Sequence, residues 1–83
     1  MKMTDEELAI LKNVNDNYKL IERDKIGDLY LYVLDEDDFM EGYKPYYGNI
    51  PRCLYFPYKH MFRMIEECQW HPILISNVIE KYS

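Results

Sequence analysis

The chain has 83 residues, 48% of them hydrophobic, and a formal net charge of −5. That apolar content is enough for one core and too high for a disordered chain, although a domain this small buries only about 60–65% of its unfolded surface. The negative balance excludes general affinity for the phosphate backbone of DNA or RNA, and no apolar run approaches the roughly 20 residues needed to span a bilayer.

Met1-Lys2-Met3 leads directly into Thr4-Asp5-Glu6-Glu7, which is not a signal-peptide pattern. The expectation is therefore a cytoplasmic protein whose two cysteines, Cys53 and Cys68, stay reduced and mostly buried. The same tetrapeptide signs a helix. Thr4 is an N-cap, Glu7 completes a capping box, Met3 and Leu8 occupy staple positions, and Asp5 and Glu6 suit the helix dipole. Leu8, Ile10, Leu11 and Val14 supply a narrow apolar stripe before Asn13, Asn15, Asp16 and Asn17 stop the helix.

A hairpin follows, with strands over 18–23 and 28–34 around Asp24-Lys25-Ile26-Gly27, where Gly27 can adopt the left-handed conformation of a bulged type I turn. Leu29, Leu31 and Val33 share one face of the second strand, and Tyr30, Tyr32 and Leu34 share a partly wet one. Residues 35–49 lack apolar period and are punctuated by Gly42, Pro45 and Gly48, so they read as a long acidic, tyrosine-rich loop or insert, with room for a short edge strand. Ile50–Phe56 suits a short strand kept near an edge by Pro51. Pro57 then fits the first position of a helix whose core face is Tyr58, Met61, Phe62 and Ile65, at i, i+3, i+4, i+7. Met64–Trp70 could extend that helix or form a strand. Pro72 breaks the pattern, and Leu74, Ile75, Val78, Ile79 and Tyr82 share one side of a last helix. The fold expected over residues 1–83 is a small single α+β domain with an N-terminal helix, an antiparallel β-hairpin, short further strands and two C-terminal helical segments.

The stretches Tyr18–Asp24, Gly27–Tyr32 and His60–Ile65, with Pro72 and Ile75–Ile79, resemble a pattern in small uncharacterised phage and prophage proteins of Gram-positive bacteria. The resemblance covers about two-thirds of the chain and omits residues 35–50. It implies a short strand around Met64–Glu67, and the chain departs from it at Glu67 and at Cys68–His71. It also implies a bacterial host cell as the setting and action on host machinery, with no established activity.

The chemistry-bearing residues are few. Cys53, His60, Cys68 and His71 hold zinc-ligand types, but the spacing C-x6-H-x7-C-x2-H fits no standard zinc module, and no metal or other cofactor is expected. A cysteine nucleophile with a histidine base lacks an identifiable orienting group, and no glycine-rich phosphate loop or nucleophile elbow is present, so the chain is not read as an enzyme. Asp35–Asp38 lacks the alternating ligands and glycine of a calcium loop and reads as a solvated acidic run. Trp70 suits the core or its rim better than a partner hot spot.

Seven of the nine tyrosines lie between Leu29 and Tyr58, around that acidic run. Tyr18, Tyr58 and Tyr82 fit core positions, whereas Tyr43, Tyr46 and Tyr47 have no evident core role. Tyrosine buries large area at low entropy cost and keeps a polar tip, which suits contact surfaces. The expected partner-binding set is Asp35, Glu36, Asp37, Asp38, Glu41, Tyr43, Tyr46 and Tyr47. It would bind a basic host protein such as a nucleic-acid enzyme, in the manner of an anti-CRISPR nucleic-acid mimic, with no direct nucleic-acid or membrane binding. The alternative is a self-associating structural or regulatory phage module, a homodimer joined through helix 73–82 or a hairpin edge.

Overall fold

A computed structural model describes residues 1–34, 45–66 and 72–83 of the chain. Helix α1, Asp5–Lys12, starts as the sequence dictates. The Thr4 hydroxyl accepts from the Glu7 N–H at 3.1 Å, and Glu7 Oε1 accepts from the Thr4 N–H at 3.0 Å, so two otherwise orphaned donors are satisfied reciprocally. The Asn13 amide ends it by donating to the Ala9 carbonyl. Met3 is buried beneath the helix start, and its N–H donates to the Tyr82 carbonyl at the other end of the chain.

Strands β1, Tyr18–Arg23, and β2, Leu29–Val33, form the expected hairpin, with a register shift between Tyr18 and Leu20. The turn closes on Asp24. Its carboxylate accepts from the N–H groups of Ile26 and Asp28, and its carbonyl accepts from Gly27, which sits at φ 95°. Strand β3, Tyr46–Tyr47, pairs with β4, Ile50–Pro51, as a two-stranded ribbon; β5, Cys53–Phe56, pairs antiparallel with β2; β6, Ile73–Leu74, pairs antiparallel with β1. The main sheet therefore runs β5-β2-β1-β6. Helix α2, Ile75–Tyr82, follows β6 directly.

One sheet face carries the core. Ile21, Leu29, Leu31, Val33 and Phe56 pack with Leu11 of α1, with Ile75 and Val78 of α2, and with Phe62 and Ile65. Tyr18 is buried there as expected, while Tyr58 and Tyr82 pack against it half-buried. Tyr58 stands edge-on to both Phe56 and Phe62, at centroid distances of 4.7 and 6.3 Å. Three expectations need correction. Leu74, placed on the last helix by its spacing, belongs to β6 opposite Leu20 and is exposed. Met64–Glu66 forms no strand.

The third correction is larger. The first of the two C-terminal helical segments, from Pro57 through Ile65, does not form; the chain follows successive turns. The apolar spacing did identify buried residues, since Phe62 and Ile65 lie in the core. Two charged side chains, however, take the backbone groups that a helix would use. Arg23, 6% exposed, donates from Nε to the Ile65 carbonyl at 2.8 Å, from one terminal nitrogen to Gly27 and Lys59 at 2.7 and 2.9 Å, and from the other to Met61 and Phe62 at 2.7 and 3.1 Å. Those five bonds use all five guanidinium donors. From the opposite side, Glu7 Oε2 accepts from the Phe62 N–H. Phe62 is thereby held at φ 59°, a conformation that costs a bulky L-residue about 1–2 kcal/mol, with its ring fully buried.

Candidate functional site

Of the eight expected partner-binding residues, Asp35, Glu36, Asp37, Asp38, Glu41 and Tyr43 lie outside the described residues, as do Cys68, Trp70 and His71. Tyr46 and Tyr47 are described. They form one strand of the β3–β4 ribbon, 58% and 45% exposed. The ribbon turns through Gly48-Asn49, with Gly48 at φ 63°, so Tyr47 faces Ile50 across a two-residue turn. That Gly-Asn pair between apolar residues is a hairpin signal that the long-loop reading passed over.

Three contacts hold the ribbon, the first tying it to the sheet and the other two bracing its β3 arm on Arg52, whose carbonyl accepts from the Val33 N–H. The Tyr18 hydroxyl donates to the Pro51 carbonyl at 2.5 Å. The Arg52 backbone N–H donates to the Pro45 carbonyl at 3.0 Å, and Arg52 Nε donates to the Tyr46 carbonyl at 3.2 Å. The Arg52 guanidinium also lies 5.8 Å from the Tyr47 ring centroid, a cation–π contact worth about 0.5–1 kcal/mol at such a site. Burial, followed by the nearby Cys53, pushes the Tyr18 hydroxyl above its usual range, so it stays a donor at any physiological pH. Tyr18→Phe should cost about 1 kcal/mol. It should also speed hydrogen exchange at the ribbon amides while leaving α1 unchanged; equal acceleration in both would show that Tyr18 serves the core alone.

The second aromatic surface is the sheet face opposite the core. Tyr30 and Tyr55 meet edge-on at 5.7 Å, and Tyr32 lies opposite both Leu20 and Cys53 in the register. The Tyr32 hydroxyl donates to Glu22 Oε1 at 3.2 Å. Desolvation, then Cys53 and Glu22, drives its pKa strongly upward; desolvation, with Asp24 and Asp28 behind it, raises that of Tyr30. Both hydroxyls are therefore neutral at physiological pH. Tyr55 is 50% exposed, and Cys53, expected to be buried, is exposed beside it. The strand alternation Cys-Leu-Tyr-Phe carries this information, because it sets Cys53 and Tyr55 on the face opposite the buried Phe56.

Charge is unevenly placed. The described residues hold nine acidic and nine basic side chains, so the whole net charge of −5 belongs to residues 35–44 and Glu67. The ribbon follows the acidic segment directly in sequence. Lys59, His60, Arg63 and Glu66 instead line a hollow of about 560 Å³ beside the Gly27 turn, where basic side chains outnumber acidic ones. Among the described residues no group of three or more His, Cys, Asp or Glu side chains could hold a metal. Among them, too, no helix is long and apolar enough to cross a membrane. Comparison with protein families, with curated proteins and with solved structures returns no match for this chain.

Proposed function

We propose that the protein acts by protein–protein contact, with Tyr46 and Tyr47 as aromatic anchors and the adjoining acidic segment as the source of attraction for a basic partner. The observation that carries this reading is the pair of exposed tyrosines on a ribbon tied to the sheet, directly after the segment that holds nearly all of the net charge. Exposed aromatic side chains on a pre-ordered strand bind at a lower entropy cost than the same side chains on a mobile loop. Carboxylates beside them can occupy a cleft lined with Lys and Arg, because those side chains pair with carboxylate as they do with phosphate. The resemblance to phage proteins supports a host nucleic-acid enzyme as the partner, and the concrete version is counter-defence against a nuclease such as that of a CRISPR system.

The test is capture from a bacterial host lysate on the immobilised protein, at low and high salt. A basic nucleic-acid-binding protein should be enriched at low salt and lost at high salt, as charge-steered association is. Changing Asp35, Asp37 and Asp38 to Asn should reduce its recovery severalfold. Enrichment of no basic protein at low salt, or recovery indifferent to the three substitutions, would contradict the proposal.

A further inference from the structure

We infer that two copies of the chain join through the open edge of β5, placing their four-stranded sheets side by side as one eight-stranded sheet. This interface is separate from the ribbon surface proposed above. Strand β5 is the outermost strand of the sheet, and among the described residues nothing pairs with its far edge. The Val33 N–H donates to the Arg52 carbonyl at 2.9 Å, which fixes the phase of the ladder. By the alternation of an antiparallel pair, the N–H and C=O groups of Leu54 face β2, while those of Cys53 and Tyr55 face outward. Besides being kept short, as this four-residue strand is, native edges are commonly blunted by a charge, a bulge or an internal proline. Cys53–Phe56 has none of these.

The sequence selects the partner's register. A two-fold axis between the two Leu54 residues sets Cys53 opposite the partner's Tyr55 and the partner's Cys53 opposite Tyr55, giving four N–H···O=C bonds. With the axis at Cys53, Tyr55 would face the partner's Pro51; with it at Tyr55, Cys53 would face the partner's Pro57. Each alternative also forms four bonds, but two of them reach onto proline carbonyls outside β5, and the facing Tyr55 or Cys53 carbonyls find no donor because proline has no N–H. The prolines that bracket the strand therefore leave one full register, centred on Leu54.

Leu54 also explains why the occupant is apolar. It points to the helical side of the sheet yet is 40% exposed, and among the described residues no further strand lies beside it. It borders a groove of about 560 Å³ between α1 and β5, lined by Ile10, Val14, Leu31 and Tyr58, with Glu6 as its one charged lining residue. The partner's Leu54 would enter this groove, and its mate would enter the partner's. A four-residue edge buries less than the roughly 1,200–2,000 Å² of stable complexes, so half-dimerisation is expected at about 10–100 µM.

Sedimentation equilibrium from about 5 to 500 µM spans that affinity range. Wild type should pass from monomer to dimer, and Leu54→Lys, a natural edge-blunting change, should remain monomeric with an unchanged circular dichroism spectrum. Independently, Leu54→Cys with Cys53→Ser and Cys68→Ser should oxidise to a disulfide dimer at least tenfold faster than a matched variant with its single cysteine at Ser76 on α2. Facing residues in a pair without mutual hydrogen bonds lie about 4.5 Å apart at Cα, within disulfide range. A wild-type monomer at every concentration, a dimer undiminished by Leu54→Lys, or equal oxidation of the two cysteine variants would overturn the inference.

Discussion

Replacing Arg23 with methionine is expected to lower folding stability by roughly 3–5 kcal/mol, the cost of stranding a buried hydrogen-bonding network. The side chain is 6% exposed and holds the carbonyls of Gly27, Lys59, Met61, Phe62 and Ile65 together. Methionine restores much of the volume and none of the donors, so carbonyls of the 59–65 segment would be left buried and unsatisfied. Arg23→Lys should recover little. An ammonium offers three donors from one point, whereas the five acceptors are arranged around a planar fork. In a domain of this length a loss of that size is a large part of the total. Urea unfolding followed by circular dichroism reads it directly, and a loss below about 1 kcal/mol for either variant would contradict the role assigned to Arg23.

Glu7→Gln is expected to cost about 2–3 kcal/mol at neutral pH, because every bond made by the carboxylate is charge-assisted and the amide must turn a donor toward another donor. One oxygen accepts from Thr4 and the other from the Phe62 N–H, so neither orientation of glutamine satisfies both sides. The carboxyl group also imposes a pH dependence. Burial raises its pKa, but the hydrogen bonds from Thr4 and Phe62 outweigh that and hold it below the usual 4.5. With the folded value depressed, the unfolded state takes up the proton first as pH falls. The contribution of Glu7 is therefore complete above about pH 4.5 and is lost as pH drops through the folded value. The stability gap between wild type and Glu7→Gln should accordingly be constant from pH 8 to about pH 5 and narrow below it. A gap that widens in acid would show that burial, not hydrogen bonding, sets the ionisation of Glu7.

These two residues also mark what the sequence could and could not disclose. Helix α1 and the β1–β2 hairpin were legible because their signals are local: a capping box, a glycine at the one turn position that needs positive φ, and alternation along β2. The segment after Pro57 was not, because Tyr58, Met61, Phe62 and Ile65 have the spacing of a helical core face whether or not a helix forms. What decides against the helix is Glu7, 55 residues from Phe62, and Arg23, 36 to 42 residues from most of the carbonyls it holds. Glu7 was recognised only for one of its two oxygens. Leu74 was misplaced for a related reason, since pairing with Leu20 on β1 overrides its local helical period. At the candidate site, Tyr46 and Tyr47 were identified by the absence of a core role, which their exposure matches. Pro51 signalled that the 50–56 strand lies near an edge, and β5 is the outermost strand of the sheet; the exposure of Leu54 on its core-side face was not legible, because it depends on what packs beside the edge.

The proposal that exposed tyrosines on an anchored ribbon make the partner contact is tested most directly by the affinity of Tyr46→Ser/Tyr47→Ser for the captured partner, relative to wild type. Both side chains are largely solvent-exposed, so the melting temperature should move by no more than a few degrees. If they act as central aromatic anchors worth 2 kcal/mol or more between them, affinity should fall by about 30-fold or more at low salt. Wild-type affinity in the double variant, with its fold intact, would contradict the account.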